Sequence, residues 1–411
     1  MRLLYLHQYF NTPSMSGGTR SYEMARRLAA WGHDVQLVTS DRDGRFPADG
    51  EWHETEEAGI RVHWTPLPYS NRMSYGRRMG AFFAFSLRAA RKAAALGGDL
   101  VFATSTPLTI ALPGAYASRR LGVPMVFEVR DLWPELPAAV GALRNPLAVV
   151  AARRLERFAY RSSARIVALS PGMRDGVVRA GYPEDRVAVI PNSCDVDLFA
   201  PDPAGAARLR ALHPWLGDRP LVLYTGTFGS INGVPWLARL AAEVRRIDPE
   251  IRFLALGDGK ERDLVEGTAR DLGVLGETFF VMGPVPKREI PAWYSCASVG
   301  TSLFVDLKEM WNNSANKFFD TLAAGRPAVI NYGGWQADLL EETGAGIVLG
   351  PGNLQEAAAV LCSRLTDRAW MERAGAAAAS LARERFDRDR LARALEGVLL
   401  GALGEKIRRM R

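Results

Sequence analysis

Short apolar runs alternate with segments of helical periodicity along the whole chain, and this alternation limits the fold more than any other feature. The first series of runs is Leu3–Leu6, Asp34–Thr39, Arg61–Trp64, Leu100–Ala103, Met125–Val129, Ile166–Leu169 and Val187–Ile190. The second series is Leu221–Tyr224, Phe253–Leu256, Phe279–Val281, Val299–Phe304, Ala328–Asn331 and Gly346–Leu349. Apolar strands that alternate with helices are typical of a parallel sheet covered by helices on both faces. The sequence therefore predicts an α/β protein with two Rossmann-like, doubly wound sheets.

The two series are separated by Asp195–Leu216, where prolines and alanines interrupt the pattern. We predict a first domain of residues 1–200, a second domain of residues 201–387 and a C-terminal helix of residues 388–411. The length of 411 residues fits two domains better than one core. Because doubly wound sheets bind ligands at the carboxyl ends of their strands, we expect the two domains to face a common cleft.

Cysteine usage and apolar run length both predict a cytoplasmic protein. Cys194, Cys296 and Cys362 lie far apart with no paired spacing, which argues against a disulfide framework or a zinc site. The N-terminus lacks the pattern of a signal peptide and is interpreted as a first strand. The longest apolar run, Met79–Leu87, is too short to cross a bilayer.

The formal net charge of +7 is concentrated in the first half, where residues 1–200 contain 25 basic and 19 acidic residues. Within that half, the segment Asn71–Ala95 interleaves arginines with large apolar side chains. Two interpretations stay open: a helix whose apolar face packs on its own domain, or a basic amphipathic helix on an anionic membrane surface. Nucleic-acid binding is not expected, since no recognised nucleic-acid module accompanies the charge.

Glycine-rich turns follow the first strand of each predicted domain. Gly17 and Gly18 precede a helix in the first domain, and Gly226 and Gly229 occupy the equivalent turn in the second. Such turns allow the backbone to approach a phosphate or sugar, and the following helix N-terminus attracts negative charge. The alternative is a tight turn without a ligand.

The segment Asn312–Val329 contains the most informative pattern in the chain. Ser314 is predicted to cap a helix whose first turn includes Asn316 and Lys317. Helix N-terminal amides together with Lys317 predict a clamp for a diphosphate. Asp320 follows Lys317 by three residues and so shares its helix face, where a carboxylate can accept both hydroxyls of a ribose. The alternative is an ordinary capped helix with Asp320 merely exposed.

Charged residues end the predicted strand Met125–Val129. Glu128, Arg130 and Asp131 lie at its carboxyl end, where burial of a charge is costly unless the group is paired or functional. We predict that these three residues and Lys317 are catalytic, with an Arg130–carboxylate pair as the alternative. His7, at the end of the first strand, is either a core imidazole or a site residue. No motif for a catalytic metal is found.

An ordered series of motifs connects the chain to a known family: LHQYFNTPSMSGGTRSYEMARRLAAWGHDVQLVTS, FEVRDLWPE, RIVALSPGM, VIPNSCDVDLF, YTGTFG, LGDG and NSANKFFDTLAAGRPAV. Through these motifs it resembles the family-4 retaining glycosyltransferases, particularly the bacterial O-antigen and capsule branch that includes N-acetylfucosamine-type transferases. The resemblance implies a GT-B fold, a nucleotide sugar held mainly by the second domain, an acceptor approached by the first, and no metal. It also implies that the C-terminal helix returns to the first domain.

The chain departs from the family pattern at three places. Many members have two glutamates separated by seven residues, and here those positions are Asn312 and Asp320. The resemblance thus implies a shortened ribose-binding carboxylate and an amide in place of the acid that contacts the sugar. The arginine and lysine common in the second glycine turn are absent, so Lys317, Lys260 or Lys287 is expected to contact the diphosphate. A His-Asp pair that is common in the family is replaced by Arg130-Asp131, two of the charged residues at the end of the predicted strand Met125–Val129.

The resemblance therefore predicts a glycosyltransferase that moves a sugar of the N-acetylated hexosamine type from a UDP-sugar to a lipid-linked glycan, with retention of configuration. No cofactor beyond the nucleotide-sugar substrate is expected, and the enzyme is expected on the cytoplasmic face of the membrane as a peripheral protein. Two alternatives are a nucleotide-sugar 2-epimerase and a non-catalytic scaffold that binds nucleotide or membrane.

Overall fold

The computed structural model describes residues 1–15, 17–69 and 73–410, which fall into two compact units. The first unit is Met1–Pro191 with Asp389–Arg411, and the second is Asn192–Arg388. The break thus follows Pro191, whereas the sequence placed it after residue 200. The reason is local hydrogen bonding, because the backbone N–H of Cys194 donates to the carbonyl of Phe386 within the second unit.

The first unit contains an eight-stranded sheet. Its strands are β1 (Arg2–Leu6), β2 (Asp34–Asp41), β3 (His53–Glu57), β4 (Ile60–Pro66), β5 (Leu100–Thr104), β6 (Met125–Val129), β7 (Arg165–Ala168) and β8 (Val187–Val189). They are ordered β3-β4-β2-β1-β5-β6-β7-β8. The order reverses between β1 and β5, which makes this the switch point where doubly wound sheets bind ligands.

Strand β3 was not predicted, and it makes the first sheet mixed rather than wholly parallel. It pairs only with β4, in an antiparallel register that sets His53 opposite Trp64. Its sequence, HETEE, has no apolar run, and its residues alternate between half-buried and exposed. An edge strand needs only one covered face, so this polar segment gives no signal of the kind used for the buried strands.

Helices cover this sheet. Those that precede the second unit in the chain are α1 (Arg20–Ala30), α2 (Tyr75–Leu96), α3 (Ala111–Leu121), α4 (Glu135–Ala139), α5 (Pro146–Arg161) and α6 (Pro171–Arg179). Short 3-10 turns occupy Leu108–Ile110 and Glu184–Arg186. The core between helices and sheet is formed by aliphatic and aromatic side chains, including Leu4, Val101 and Phe127 from the central strands.

Helix α2 corresponds to the basic segment of the sequence. Phe85, Ala89 and Ala93 are buried in the core of the first unit, so one apolar face of the helix packs on its own domain. Phe83 and Leu87 nevertheless remain exposed. The start of the predicted segment, residues 71 and 72, lies outside the described residues. In the part of the chain that the structure describes, no helix has both the length and the apolarity needed to cross a bilayer.

The second unit contains a six-stranded, all-parallel sheet. Its strands are β9 (Leu221–Thr225), β10 (Arg252–Leu256), β11 (Phe279–Met282), β12 (Val299–Ser302), β13 (Ala328–Ile330) and β14 (Gly346–Val348). Its helices are α7 (Pro203–Leu212), α8 (Val234–Ile247), α9 (Arg262–Asp271), α10 (Ile290–Cys296), α11 (Asn316–Ala323), α12 (Trp335–Thr343), α13 (Leu354–Thr366) and α14 (Arg368–Arg385), with 3-10 turns at Lys287–Glu289 and Lys308–Asn312. The strand order β11-β10-β9-β12-β13-β14 places the switch point between β9 and β12.

The last helix, α15 (Arg388–Met410), belongs to the first unit from Asp389 onward. The carboxylate of Glu396 lies 2.7 Å from Nε2 of His33. The guanidinium of Arg393 lies 3.5 Å from the ring centre of Trp31. These contacts attach the C-terminal helix to the end of α1.

A buried ion pair connects α1 to β6 in the first unit. The side chains of Arg20 and Glu128 are 2% and 0% exposed, and Nη2 of Arg20 lies 2.8 Å from Oε1 of Glu128. Arg20 also donates to the carbonyls of Ile190, at 2.9 Å, and Pro191, at 2.6 Å. Burial alone would raise the pKa of Glu128, but the charges of Arg20 and Arg130 hold it below its ordinary value. The pair therefore ties a helix, a strand and the end of the first unit together.

We predict that Arg20→Ala lowers the free energy of unfolding of the first unit by about 3–5 kcal/mol, because it leaves Glu128 buried without its partner. Urea denaturation followed by tryptophan fluorescence measures this. Arg26→Ala is the matched control, since Arg26 pairs with Glu23 on the more exposed side of the same helix and its loss should cost about 0–1 kcal/mol. Equal losses for the two variants would contradict a structural role for the Arg20–Glu128 pair.

Candidate functional site

Backbone loops approach each other closely at the carboxyl edge of the second sheet. Gly226 and Gly257 follow β9 and β10 and have φ angles of 134° and 154°. A Cβ atom on Gly257 would lie 1.9 Å from the carbonyl oxygen of Gly226, so only glycine fits there. Gly233 ends the loop after β9 as the N-cap of α8; Pro235 in the first turn has no N–H, and the N–H of Trp236 donates to the carbonyl of Gly233 at 3.0 Å. This edge therefore brings two loop backbones close together beside the positive end of the α8 dipole.

The ammonium of Lys317, the second residue of α11, points to this loop. Its Nζ lies 4.9 Å from the ring centre of Tyr224 and 5.3 Å from that of Phe304. The amide oxygen of Asn232 accepts from Nζ at 3.1 Å when that amide is oriented to donate to the carbonyl of Thr227. Burial lowers the pKa of Lys317 to about 8. Over residues 1–15, 17–69 and 73–410 no carboxylate forms an ion pair with it, so its charge is available to an anion.

Asp320 lies one turn further along α11 and is half-buried. Burial raises the pKa of its carboxyl to about 6, although Lys287 and Arg388 act in the opposite direction. Those two cations are paired with Asp195 instead, at 3.5 Å and 3.0 Å. Within the described chain, no hydrogen bond reaches the carboxylate of Asp320. It is therefore an acceptor available to hydroxyl groups on the same helix face as Lys317.

The predicted capping of this helix by Ser314 is wrong. Helix α11 begins at Asn316 with Ala315 at the N-cap, and no side chain caps it. The hydroxyl of Ser314 instead accepts from the backbone N–H of Asn192 at 2.9 Å. The side-chain oxygen of Asn313 accepts from the N–H of Ala315 at 3.1 Å. The hydroxyl that was predicted to cap the helix thus forms a hydrogen bond with the start of the second unit instead.

The remaining predicted residues of the second unit occupy different surroundings. Asn312 is half-buried at the end of a 3-10 turn, and the side chain of Asn316 is exposed. A Cβ atom on Gly229 would lie 2.9 Å from the amide oxygen of Asn232, which explains the glycine. Among the three lysines considered for a diphosphate, Lys260 is exposed and Lys287 is paired with Asp195, which leaves Lys317 at the glycine loop.

Sequence reasoning missed the residues that hold Lys317 in place. Asn232 lies in the glycine loop that was identified, between Gly229 and Gly233, and its position there was the available signal. Tyr224 lies in β9 and Phe304 follows β12, and neither gave a signal, since a buried aromatic residue is first of all a core residue.

Polar groups also gather at the switch point of the first sheet. Nη1 of Arg130, which follows β6, lies 3.3 Å from Nε2 of His7, which follows β1. Burial and then the charge of Arg130 lower the pKa of His7 well below its ordinary value, so its imidazole is neutral. With Nε2 accepting from Arg130, the proton resides on Nδ1, which has no hydrogen-bond partner among the described residues. Burial raises the pKa of Asp131 to about 6, and Arg130 opposes this.

The proposed alternative for this strand end, an Arg130–carboxylate pair, is not found in the part of the chain that is described. The carboxylate in question, Glu128, is paired with Arg20 and with the hydroxyl of Thr104. Its complete burial differs from the prediction that it touches substrate. No local pattern indicates this pairing, because Arg20 and Glu128 are 108 residues apart.

The first glycine turn has a clear steric origin. Gly17 has a φ of 125°, and a Cβ atom on it would lie 2.6 Å from Nδ2 of Asn11. The same amide nitrogen donates to the carbonyl of Gly18 at 3.3 Å. Gly18 itself is exposed. The turn thus requires glycine at position 17 for its own geometry, as the ligand-free interpretation expects.

Both units match families of glycosyltransferase domains. Residues 17–193 match the glycosyl transferase 4-like domain, and residues 219–367 match the glycosyl transferases group 1 domain. The chain therefore contains two domains of glycosyltransferase type, and its two α/β units have the GT-B fold.

Two relatives are similar to part of the chain. The GDP-mannose-dependent alpha-(1-6)-phosphatidylinositol monomannoside mannosyltransferase of Mycolicibacterium smegmatis is 32% identical over 161 residues, which are 39% of this chain and 40% of that enzyme. The D-inositol 3-phosphate glycosyltransferase of Xylanimonas cellulosilytica is 26% identical over 69% of each chain.

Solved structures with the same fold align over nearly the whole chain. Sucrose-phosphate synthase from Thermosynechococcus elongatus has a TM-score of 0.80 at 17% identity, covering 98% of this chain and 100% of that one. Anabaena HepE in complex with UDP has a TM-score of 0.75 at 18% identity, with the same coverage. At these identities the likeness concerns the fold.

The raised pKa of Asp320 leads to a prediction about stability. Because the folded-state pKa, about 6, exceeds the ordinary 3.8, ionised Asp320 disfavours the folded state fully above pH 6 and not below the ordinary pKa. Asp320→Asn should raise the free energy of unfolding of the ligand-free protein by on the order of 1–2 kcal/mol near pH 7.5 and leave it unchanged near pH 3.5. Urea unfolding at the two pH values measures this.

Asp306→Asn is the control for this measurement, since Asp306 is an exposed carboxylate in a loop of the same unit. It should change the free energy of unfolding little at either pH. A loss of stability at neutral pH in Asp320→Asn would mean that Asp320 is paired in the ligand-free protein, contrary to the arrangement described.

Proposed function

We propose that this glycosyltransferase moves a sugar of the N-acetylated hexosamine type from a UDP-sugar to a lipid-linked glycan, with retention of anomeric configuration. The observation that carries the donor part is the ammonium of Lys317, which lies beside the glycine loop and forms no ion pair among the described residues. Such a group is costly to bury without a counter-ion, and a diphosphate supplies one. Surface polysaccharide synthesis is the process in which such a transfer takes place.

The proposed reaction uses the leaving group as its own base. The bond between the anomeric carbon and the diphosphate oxygen breaks while the acceptor oxygen forms a bond to the same face of the sugar. The acceptor proton passes to an oxygen of the departing diphosphate. Lys317 and the positive end of the α8 dipole stabilise the negative charge that develops there. Because these groups supply the positive charge, the proposal needs no metal ion.

Asp320 is proposed to bind the ribose of the donor nucleotide. Its unpartnered carboxylate can accept two hydrogen bonds from the vicinal hydroxyls of a ribose. The base is not chosen by this contact. HepE holds UDP, whereas the mycobacterial relative is named for GDP-mannose, so both nucleotides belong in the test.

The acceptor is proposed to contact the first unit at its switch point. Arg130 and Asp131 carry charge at the ends of buried strands, and the neutral His7 presents an unused N–H. These groups suit the hydroxyls of a glycan, which both donate and accept hydrogen bonds. For an acceptor attached to a lipid, we propose that the enzyme acts as a peripheral protein at the cytoplasmic face of a membrane.

The nucleotide site is tested by thermal denaturation with UDP, GDP and ADP in the presence of EDTA. We expect UDP to raise the midpoint, because a ligand that binds the native state stabilises it. Lys317→Met should weaken UDP binding by about tenfold or more, since it removes a charged contact to phosphate while keeping the length of the side chain. Without ligand the variant should be at least as stable as the wild type, because burial already disfavours the ammonium.

Lys260→Met is the matched control, because Lys260 is an exposed lysine of the same unit. It should bind UDP as the wild type does. If Lys317→Met retains full affinity, the proposed diphosphate contact is incorrect. If GDP stabilises the protein and UDP does not, the donor base is guanine. Acceptor-dependent release of UDP from UDP-N-acetylhexosamines then tests transfer, and conversion of the donor without any acceptor would contradict it.

A further inference from the structure

Four arginines of α3 and α5 surround a cavity on the helical surface of the first unit. The cavity has a volume of about 400 Å³ and is lined by Arg119, Arg154, Arg157, Phe158, Arg161 and Ser162. Arg119 belongs to α3, and the other residues belong to or directly follow α5. The three arginines of α5 are spaced three and four residues apart, so they share one helix face.

The arginines of this cavity form no ion pair among the described residues, although the charge of Arg157 acts on the buried carboxyl of Glu156. Arg119 donates to the hydroxyl of Ser162 at 3.3 Å, and its guanidinium lies 5.2 Å from the ring centre of Phe158. Counting every described side chain, no carboxylate forms an ion pair with Arg119, Arg154, Arg157 or Arg161. Four like charges around one cavity repel one another, and a bound anion relieves this repulsion. Guanidinium groups match phosphate oxygens in geometry.

Exposed apolar side chains continue the same helix faces. On α5, Leu147 and Val150 are 79% and 48% exposed, and they precede Arg154 by seven and four residues. These spacings place them on the face that carries the arginines. On α3, Tyr116 is 49% exposed and precedes Arg119 by three residues. Each helix therefore has a large exposed apolar group beside its arginines.

This combination identifies the kind of ligand. A free phosphate or a sugar phosphate would use the arginines, but it would leave Leu147, Val150 and Tyr116 in water without benefit. At a membrane surface, apolar side chains enter the boundary between headgroups and acyl chains, while arginines remain at the level of the lipid phosphates. Both halves of the pattern then have partners.

We propose that the arginine cavity binds the phosphate of an anionic lipid headgroup, with Leu147 and Val150 inserted beside it. The inference deepens the peripheral attachment in the proposed function by naming its site, but it does not depend on the donor or on the transfer step. It also moves the principal contact from α2, the basic segment of the sequence, to α5 and α3.

The test is co-sedimentation of the full chain with vesicles of phosphatidylcholine alone or mixed with phosphatidylglycerol. We expect the wild type to bind the mixed vesicles and Arg154→Glu/Arg157→Glu to bind them at least tenfold more weakly, since each basic residue near an anionic surface contributes about fivefold. Arg373→Glu/Arg383→Glu on exposed positions of α14 changes the net charge equally and should retain binding. An equal loss in both double variants would overturn a specific site.

A second pair of variants tests the apolar part. Leu147→Ser/Val150→Ser leaves the charge unchanged and should weaken binding to the same vesicles several-fold, whereas a purely electrostatic attraction would not be affected. Glycerol phosphate supplied in solution should compete only weakly. Strong binding of glycerol phosphate without vesicle binding would mean that the cavity takes a soluble phosphate and would refute the lipid assignment.

Nucleotide binding keeps this result separate from the proposed function. The four substitutions in α5 lie in the first unit, so the two double variants that contain them should keep the wild-type response of thermal stability to UDP. Retained nucleotide response with unchanged vesicle binding would refute the lipid site alone. Lost nucleotide response in the wild type would refute the donor assignment and leave the vesicle result unaffected.

Discussion

Parallel strand pairing is the constraint on which the rest of the structure depends. Because parallel strands need crossover connections, all their carboxyl ends open on the same edge of the sheet. The strand order reverses beside β1 in the first unit and beside β9 in the second, so neighbouring connections lead away from each other there. His7 and Arg130 meet at the first of these positions. The glycine loop after β9 and Lys317 occupy the second.

The chain treats buried charge in two distinct ways. Arg20 and Glu128 are wholly buried, yet each has partners for its charge, and two carbonyls take further hydrogens of the guanidinium. Lys317 and Asp320 are only partly covered and form no ion pair among the described residues, and burial lowers the pKa of the lysine and raises the pKa of the aspartate. A pair of the first kind maintains the fold. Groups of the second kind cost stability in the ligand-free protein, which is typical of sites that wait for a charged or polar ligand.

Local patterns predicted much of this architecture, and distant contacts account for what they missed. All the apolar runs became strands, and Lys317 and Asp320 could be placed on one helix face from their spacing alone. The polar edge strand β3 escaped because its neighbour, and not its own sequence, covers it. The predicted capping by Ser314 is wrong for a related reason, since its hydroxyl accepts a hydrogen bond from the N–H of Asn192, which is far away in the chain. Periodicity reports which face is buried but not which distant residue lies against it.

The position of Asp195 explains how Asp320 keeps its acceptor capacity. Lys287 and Arg388 are near enough to influence Asp320, and a direct pair with either cation would occupy the oxygens that a ribose needs. Both cations form ion pairs with Asp195, so they lower the pKa of Asp320 without occupying its carboxylate oxygens. With a pKa of about 6, Asp320 is largely ionised at neutral pH, and Lys317, with a pKa of about 8, is largely protonated. Between these values both groups carry the charges that a nucleoside diphosphate requires, although neither forms an ion pair among the described residues.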